Sequence, residues 1–299
     1  MVLYGRLADE LAEPMTNLFE QPAEVRVMTV PDVKAVRWAN CFSGFELPEP
    51  LPVGHLEWVH CWGAGTEQWQ TRGLPQNCLL TRTVGDMPIR MAEFCLTYSL
   101  ALLGGIFEVR DNQADHCWRD VTGELLAGQR VAILGCGEIG SVIGRSYAAN
   151  GAVVTGFSRT ASAVRGLQIL PVERLKKLGS EFDILINCLP LTPQTQGFSN
   201  QELLERMTLK QFINVGRSGT VVLADLLAAL AAKSIQNLVL DVHDEEPLPT
   251  DSPLWATKGL WVSPHRSAPT MAIDVLSSII NIKELRDKSN LIVNMSQGY

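Results

Sequence analysis

The chain predicts an α/β protein built on parallel sheets, and three observations predict it. Short apolar runs alternate with helix-like segments from residue 1 to residue 91. The apolar run Arg130–Leu134 then leads into Gly135-Cys136-Gly137-Glu138-Ile139-Gly140, which opens a helical stretch. Four later apolar runs, at 184–188, 212–215, 238–242 and 260–262, recur with helical segments between some of them. Alternation of this kind builds βαβ units, and a glycine loop between strand and helix marks a doubly wound sheet.

Bulk properties bound the function. The 299 residues suffice for two domains, and 46% apolar with 19% charged residues is ordinary for a folded globular chain. A net charge of −7 argues against a nucleic-acid partner held by phosphate neutralisation. The seven cysteines, Cys41, Cys61, Cys78, Cys95, Cys117, Cys136 and Cys188, are scattered and form no CxxC pair. That pattern predicts no disulfide framework, no metal site and a reducing, cytoplasmic setting. Arg6, Asp9, Glu10 and Glu13 interrupt any leader-like pattern at the start. The longest apolar stretch, 94–107, falls short of a membrane span, so no membrane partner is expected.

In order, residues 1–4 read as a strand, 7–19 as a helix and 25–30 as a second strand, with further strands at 33–39 and 56–61. Pro48, Pro50 and Pro52 make 44–54 a loop. Residues 88–109 read as one long helix, apolar nearly all round through Phe94, Leu96, Tyr98, Leu100, Leu102 and Leu103, and therefore buried in the protein or against a subunit. A connecting stretch follows at 117–126. After the strand Arg130–Leu134 a helix runs to about residue 150, where Gly151 stops it, and a strand follows at 152–157. Helices at 200–207 and 224–233 separate later strands, completing a doubly wound domain over 92–266. The tail, 268–288, reads as a helix with Pro269 near its first turn.

The glycine loop has the context that makes it a dinucleotide site: strand before, helix after, second strand beyond. Gly135 permits the tight turn, Gly137 lets the backbone approach a pyrophosphate, and Gly140 allows close helix–strand packing, with Glu138 and Ile139 opening the helix. About 20 residues past the first glycine an NAD site carries an acid for the ribose 2′-hydroxyl. Here the sequence is Ser158-Arg159-Thr160, with Arg165 nearby and no acid. A guanidinium between two hydroxyls suits a 2′-phosphate, which favours NADP(H), with NAD(H) as the alternative.

Reducing a 2-oxo acid requires an acid for the carbonyl oxygen, a cation to polarise it and donors that fix the carboxylate. His265 follows the strand at 260–262, Glu246 follows 238–242, and Arg217 follows 212–215. Three chemically suited side chains after three strands, at the carboxyl ends where α/β sheets put their sites, form one constellation. His55, His60, His116 and His243 lack such context and read as structural.

With those residues in view, the chain resembles the D-isomer-specific 2-hydroxyacid dehydrogenases, most of all the glyoxylate/hydroxypyruvate reductase branch. The resemblance runs through 62–66, 92–94, the glycine loop, 189–195, 213–217, 240–242 with 246–249, 252–255 and 263–265. It implies two Rossmann-like domains, a doubly wound one for the cofactor and a smaller flavodoxin-like one for substrate, the latter from 1–91 and 267–299. It implies His265 as acid/base, Glu246 as its partner and Arg217 as the orienting cation. Ala64 and Gly65, beside Trp62, would give backbone N–H groups to the substrate carboxylate from the other domain. Leu189, Pro190, Thr192, Val215 and Asp241 would lie along the cofactor, Thr192 by its phosphates and Asp241 by the nicotinamide amide. A small 2-oxo or 2-hydroxy acid as substrate and a homodimer formed through the cofactor domains follow from the same likeness.

Some positions depart from the family pattern. Ser218 follows Arg217 where glycine is usual, Arg266 follows His265 where a small or apolar residue is usual, and Cys136 puts an oxidisable thiol in the glycine loop. Trp62, Trp69, Trp255, Arg82 and Arg90 are candidates to shape the pocket. A dinucleotide-sensing, non-catalytic dimeric regulator of the same fold is the competing reading, and the intact Arg217, Glu246, His265 set argues against it. Glu246 also argues against a formate dehydrogenase, whose histidine pairs with glutamine.

Overall fold

The computed structural model describes residues 1–18, 24–47, 50–70, 72–159, 166–284 and 291–293. The chain divides into two compact units, Met1–Met87 with Thr270–Tyr299, and Pro88–Pro269. In the first, strands β1 (Val2–Tyr4), β2 (Arg26–Met28), β3 (Cys41–Gly44), β4 (Trp58–Cys61) and β5 (Leu79–Arg82) form a sheet of order β2-β1-β3-β4-β5. Helices α1 (Ala8–Leu18), α2 (Val33–Trp38) and α3 (Glu67–Gln70) accompany it. All its strand pairs are parallel, and the order is the flavodoxin-like one. One face buries Phe42, Val59 and Trp69, the other Leu3, Leu11 and Trp62.

The second unit begins with helices α4 (Met87–Leu103) and α5 (Ile106–Ala114). Strands β6 (Arg130–Leu134), β7 (Val153–Ser158), β8 (Gln168–Pro171), β9 (Ile184–Asn187), β10 (Leu209–Asn214), β11 (Ile235–Leu240) and β12 (Leu260–Val262) follow. Helices α6 (Glu138–Ala149), α7 (Leu175–Leu178), α8 (Gln201–Leu204) and α9 (Leu223–Ala231) cover them. The order β12-β11-β10-β9-β6-β7-β8 is the doubly wound order with one strand added. Alternate residues of β6 explain the layers. Ala132 and Leu134 enter one core with Leu185 and Phe212, while Val131 and Ile133 enter the other with Ile143 and Tyr147. A parallel sheet buried on both faces needs such near-continuous apolar strands.

Three expectations need correction. Residues 33–39 form α2, not a strand. The Asp32 side chain accepts the Lys34 N–H at 2.8 Å and caps the helix, and spacing by three buries Val36 and Ala39 while Val33 stays exposed. The strand there is β3, a few residues later. The long helix expected at 88–109 is two helices bent by 61°. Gly105 lies at φ 66°, and a β-carbon there would meet Val121 Cγ1 at 2.4 Å, so the glycine pair breaks the helix where the 116–125 stretch crosses it. Within the single chain Ile89, Leu100, Ile106 and Val109 are exposed. No single helix among the described residues is long and apolar enough to cross a membrane. The tail helix α10 (Ala272–Lys283) starts later than its sequence suggests, because Asp274 accepts the Met271 N–H at 2.8 Å and sets the first turn after Pro269. Residues 285–288 lie outside the described ones.

Candidate active site

In the second unit the sequence candidates gather at the carboxyl edge of the sheet. β6 ends in the glycine loop, where Gly135 adopts φ 91° and its N–H, like that of Cys136, reaches the Phe157 carbonyl at 2.9 Å. A β-carbon on Gly135 would come within 2.9 Å of the Cys188 carbonyl group and Leu189 N, and one on Gly140 within 2.4 Å of the Gly135 oxygen. Gly137, in contrast, faces open space at the start of α6. The loop is closed on the strand side and open in front of the helix N-terminus, which is the cradle a pyrophosphate needs. Glu138 and Ile139 form the first turn of that helix. Cys136 corrects the expectation of an oxidisable thiol. It is buried against Gly156, and burial pushes its thiol up to about 11, so it carries little thiolate.

β7 ends at Ser158, with Arg159 exposed after it. Thr160 and Arg165 lie outside the described residues. At the end of β9, Asn187 is fully buried. Its amide donates to Asn214 Oδ1 at 3.0 Å and to Thr220 Oγ1 at 2.7 Å, and its oxygen accepts the Leu189 N–H at 3.3 Å. Asn214, ending β10, accepts the Gly216 N–H at 3.2 Å. The pair pins the exits of β9 and β10 together. Leu189 and Val215 place their side chains in the two cores, so only their backbones remain for the edge. Pro190 and Thr192 follow, held by Thr195, whose hydroxyl takes the Thr192 N–H at 2.8 Å and reaches the Pro190 carbonyl at 2.6 Å. Arg217 is half-buried, with Nη1 donating to the Gly216 carbonyl at 3.0 Å, and the Thr220 hydroxyl holds its own carbonyl at 2.6 Å.

The exits of β11 and β12 bring the remaining two together. His265 Nδ1 lies 2.8 Å from Glu246 Oε2, and Glu246 Oε1 accepts the His243 backbone N–H at 2.9 Å. Both groups are substantially exposed, the imidazole 49% and the carboxylate 36%. A carboxylate on Nδ1 fixes the ring and its tautomer and leaves Nε2 to work. The His265 backbone is left-handed, φ 47°, uncommon for a residue with a β-carbon. Asp241 holds it there. Its carbonyl takes the His265 N–H at 2.8 Å, and its fully buried carboxylate takes the N–H groups of Arg266 and Ser267, each at 2.9 Å. His243, without sequence context of its own, braces the same corner by its ring on the Ser263 carbonyl at 3.0 Å. A second histidine two residues after a strand-end aspartate was the only available signal. Arg266 is exposed.

The remaining candidates belong to the first unit. Ala64 and Gly65 are half-buried in the loop after β4. Trp62 and Trp69 are not pocket walls. Both are fully buried core side chains, with the Trp62 indole N–H on Ser43 Oγ at 2.7 Å. His60 is fully buried between Thr81 and Thr83, and burial lowers it to about 3. Arg82 donates to the Ala64 carbonyl at 3.1 Å. Within the second unit, Arg90 reaches the Pro269 carbonyl at 3.3 Å, and Trp255 is half exposed with its N–H on the Pro249 carbonyl at 2.8 Å.

Comparison with known families agrees with this edge. Residues 96–267 match the model of the D-isomer specific 2-hydroxyacid dehydrogenase, NAD binding domain. The chain belongs to the D-isomer specific 2-hydroxyacid dehydrogenase family. It is therefore an oxidoreductase with an NAD-binding domain. Solved structures of dehydrogenases agree over nearly the full length. One is a D-isomer specific 2-hydroxyacid dehydrogenase from Xanthobacter autotrophicus Py2 in complex with NADPH and MES. It is 27% identical with a TM-score of 0.86, and the match covers 100% of this chain and 99% of that one. A family protein from Klebsiella pneumoniae 342 is 28% identical with a TM-score of 0.81, covering 99% and 97%. The NADPH-dependent glyoxylate/hydroxypyruvate reductase from Sinorhizobium meliloti, in complex with NADP and sulfate, is 25% identical with a TM-score of 0.84, covering 100% and 99%.

Proposed function

We propose that the protein is an NADPH-dependent reductase of a small 2-oxo acid, of the glyoxylate or hydroxypyruvate type, forming the D-2-hydroxy acid. The observation that carries this is the 2.8 Å pair of His265 Nδ1 and Glu246 at the carboxyl edge of a sheet whose first loop is a pyrophosphate cradle. The fit of a dinucleotide rests on that cradle. Gly135 and Gly140 close its back and Gly137 leaves its front open, so these glycines with Thr192 would hold the phosphates, and Ser158 with Arg159 would hold the ribose. An arginine in place of an acid favours the 2′-phosphate of NADPH, and relatives crystallised with NADPH and NADP support the choice.

Bound NADPH supplies hydride to C2 of the substrate. His265 Nε2 gives its proton to the carbonyl oxygen as negative charge grows there, and Glu246 stabilises the charged ring before transfer. Arg217 polarises the same carbonyl and orients the substrate. In the first unit, the backbone N–H groups of Ala64 and Gly65 would be the donors for a carboxylate. Asp241 fixes the turn that carries His265.

The test follows NADPH oxidation, with NADH in parallel, against glyoxylate, hydroxypyruvate, pyruvate, phenylpyruvate and oxaloacetate. The expected result is NADPH-selective turnover that His265→Asn lowers about 100- to 10,000-fold in kcat, with NADPH still bound. Tight NADPH binding with no turnover of any acid gives the function to the dinucleotide-sensing regulator instead. The same reading makes the protein a homodimer through its second unit, supported by exposed Ile89, Leu100, Ile106, Val109, Trp118 and Leu125. Light scattering that returns the monomer mass at micromolar concentration would refute that part.

A further inference from the structure

The loop after β4 is held in an unusual way, and the hold has a direction. β4 and β5 are parallel, and their last residues, Cys61 and Arg82, are register partners at the carboxyl edge of the five-stranded sheet. The loop 62–66 leaves β4 directly beside both. Arg82 Nη1 donates to the Ala64 carbonyl at 3.1 Å. The Cys61 thiol donates to the Gly65 carbonyl at 3.4 Å and accepts the Gly63 N–H at 3.4 Å. From the other side the Thr270 hydroxyl donates to the Trp62 carbonyl at 2.9 Å.

In a trans peptide the C=O of one residue and the N–H of the next point in opposite directions. The 62–63 peptide obeys this visibly: its carbonyl goes to Thr270 and its N–H to Cys61. The same rule applied to the 64–65 peptide turns the Gly65 N–H away from Arg82. A guanidinium on the carbonyl also polarises that peptide, which strengthens its N–H as a donor. Gly65 has no side chain to cover the donor, and Gly63 to Gly65 are half-buried rather than sealed in the core.

We propose that Arg82 and Cys61 are positioning residues for the substrate carboxylate, Arg82 the stronger, acting through the Ala64 and Gly65 peptides without touching substrate. This rests on the reductase reading, which assigns the carboxylate to this loop. It adds that Gly65 is the aimed donor and that a cation behind the loop sets its direction. A carboxylate held this way is held equally in the ground state and in the transition state, so the effect falls on affinity and not on the chemical step.

The experiment titrates oxamate, an unreactive carboxylate mimic of a 2-oxo acid, into NADPH-saturated protein by calorimetry, and measures kcat and KM for glyoxylate and its methyl ester. Arg82→Gln is expected to weaken oxamate roughly tenfold and raise the glyoxylate KM by as much, with kcat and NADPH affinity within about threefold of wild type. Arg82→Lys recovers part of the loss, and Cys61→Ala loses about threefold, since a thiol is a weak donor. The preference for glyoxylate over its uncharged methyl ester falls with the KM change. A purely structural role would lower both substrates and NADPH binding together. Arg82→Gln, or Arg82→Lys and Cys61→Ala should Arg82→Gln not fold, binding oxamate within about twofold of wild type overturns the proposal. Wild type that binds oxamate yet reduces no acid refutes the reductase reading alone. Wild type without affinity for oxamate overturns both.

Discussion

The two carboxyl edges of this molecule differ in the side chains that hold the loops leaving them. In the seven-stranded sheet the amide and carboxylate oxygens at three strand exits are acceptors, although the Thr195 and Thr220 hydroxyls hold the Pro190 and Arg217 carbonyls there. Asn187, Asn214 and Asp241 take the N–H groups of Leu189, Gly216, Arg266 and Ser267. In the five-stranded sheet the closing groups are donors: Arg82, Cys61 and Thr270 take the carbonyls of Ala64, Gly65 and Trp62. Because the C=O and N–H of a trans peptide point in opposite directions, holding the N–H turns the carbonyl away from the closing group and holding the carbonyl turns the N–H away. At these positions the two sheets turn opposite peptide groups away from the closing side chains, although Thr195, Thr220 and Cys61 also make the reverse contact. The choice lies in one or two residues at each strand end. The donor-held edge suits an anion. The acceptor-held edge fixes the backbone from which Arg217, Glu246 and His265 project.

The largest expected effect comes from removing an acceptor. Asp241→Ala leaves the buried Ser267 N–H and the partly buried Arg266 N–H without their carboxylate partner and releases the left-handed turn at His265. A destabilisation of about 3 kcal/mol in urea is expected, at about 1–3 kcal/mol per orphaned group. The kcat should fall at least tenfold, since about 1.4 kcal/mol of lost positioning is a factor of ten. Arg82→Gln acts on KM, so the two variants separate the edges kinetically. An Asp241→Ala enzyme with wild-type kcat would break the comparison.

Acid should next distinguish the two units. His60 is buried neutral in the first, lowered to about 3 by burial, between the Thr81 and Thr83 hydroxyls. Its unfolded value is near 6.5. Between those limits the unfolded chain binds a proton that the folded unit refuses. The stabilisation is complete above pH 6.5 and is lost as pH falls toward 3, by about 1.4 kcal/mol per pH unit. In the second unit His116, His243 and His265 are not buried. Hydrogen exchange near pH 4.5 should therefore open β4 and β5 before β6 and β9, and His60→Asn should flatten the slope. Equal acid sensitivity in both units would refute this.

How much of this was legible in the sequence differs between the same two regions. The second unit announced itself, because glycines forced by a turn at φ 91° and strands buried on both faces leave strong local patterns. The His265, Glu246 and Arg217 set was legible as three strand exits, and His265 and Glu246 do form a hydrogen-bonded pair. The first unit was read less well. Val33 and Val36 suggested a strand, yet a single aspartate cap and spacing by three made a helix. The second unit had its own miss, for Gly104 and Gly105 lay inside an apolar run whose periodicity hid the break. Arg82 and Cys61 had no motif at all. Their partnership is created by strand register, which joins residues far apart in the chain, and no local pattern encodes it.

The end of β7 is a third kind of edge, and it carries the smallest expected effect. Here the polar groups belong to the side chains of Ser158 and Arg159. Arg159 is exposed, so solvent and salt screen its charge, and under the proposed function it would add one screened, charge-assisted contact to a 2′-phosphate. Arg159→Ala should raise the NADPH Kd about three- to tenfold and leave the NADH Kd unchanged, because only NADPH carries the phosphate. The loss should shrink as salt rises from low to physiological strength, whereas a mere packing defect would weaken both dinucleotides at every salt concentration. A wild type that binds NADH as tightly as NADPH would show that this edge selects nothing, and would leave the cofactor choice to residues beyond Arg159.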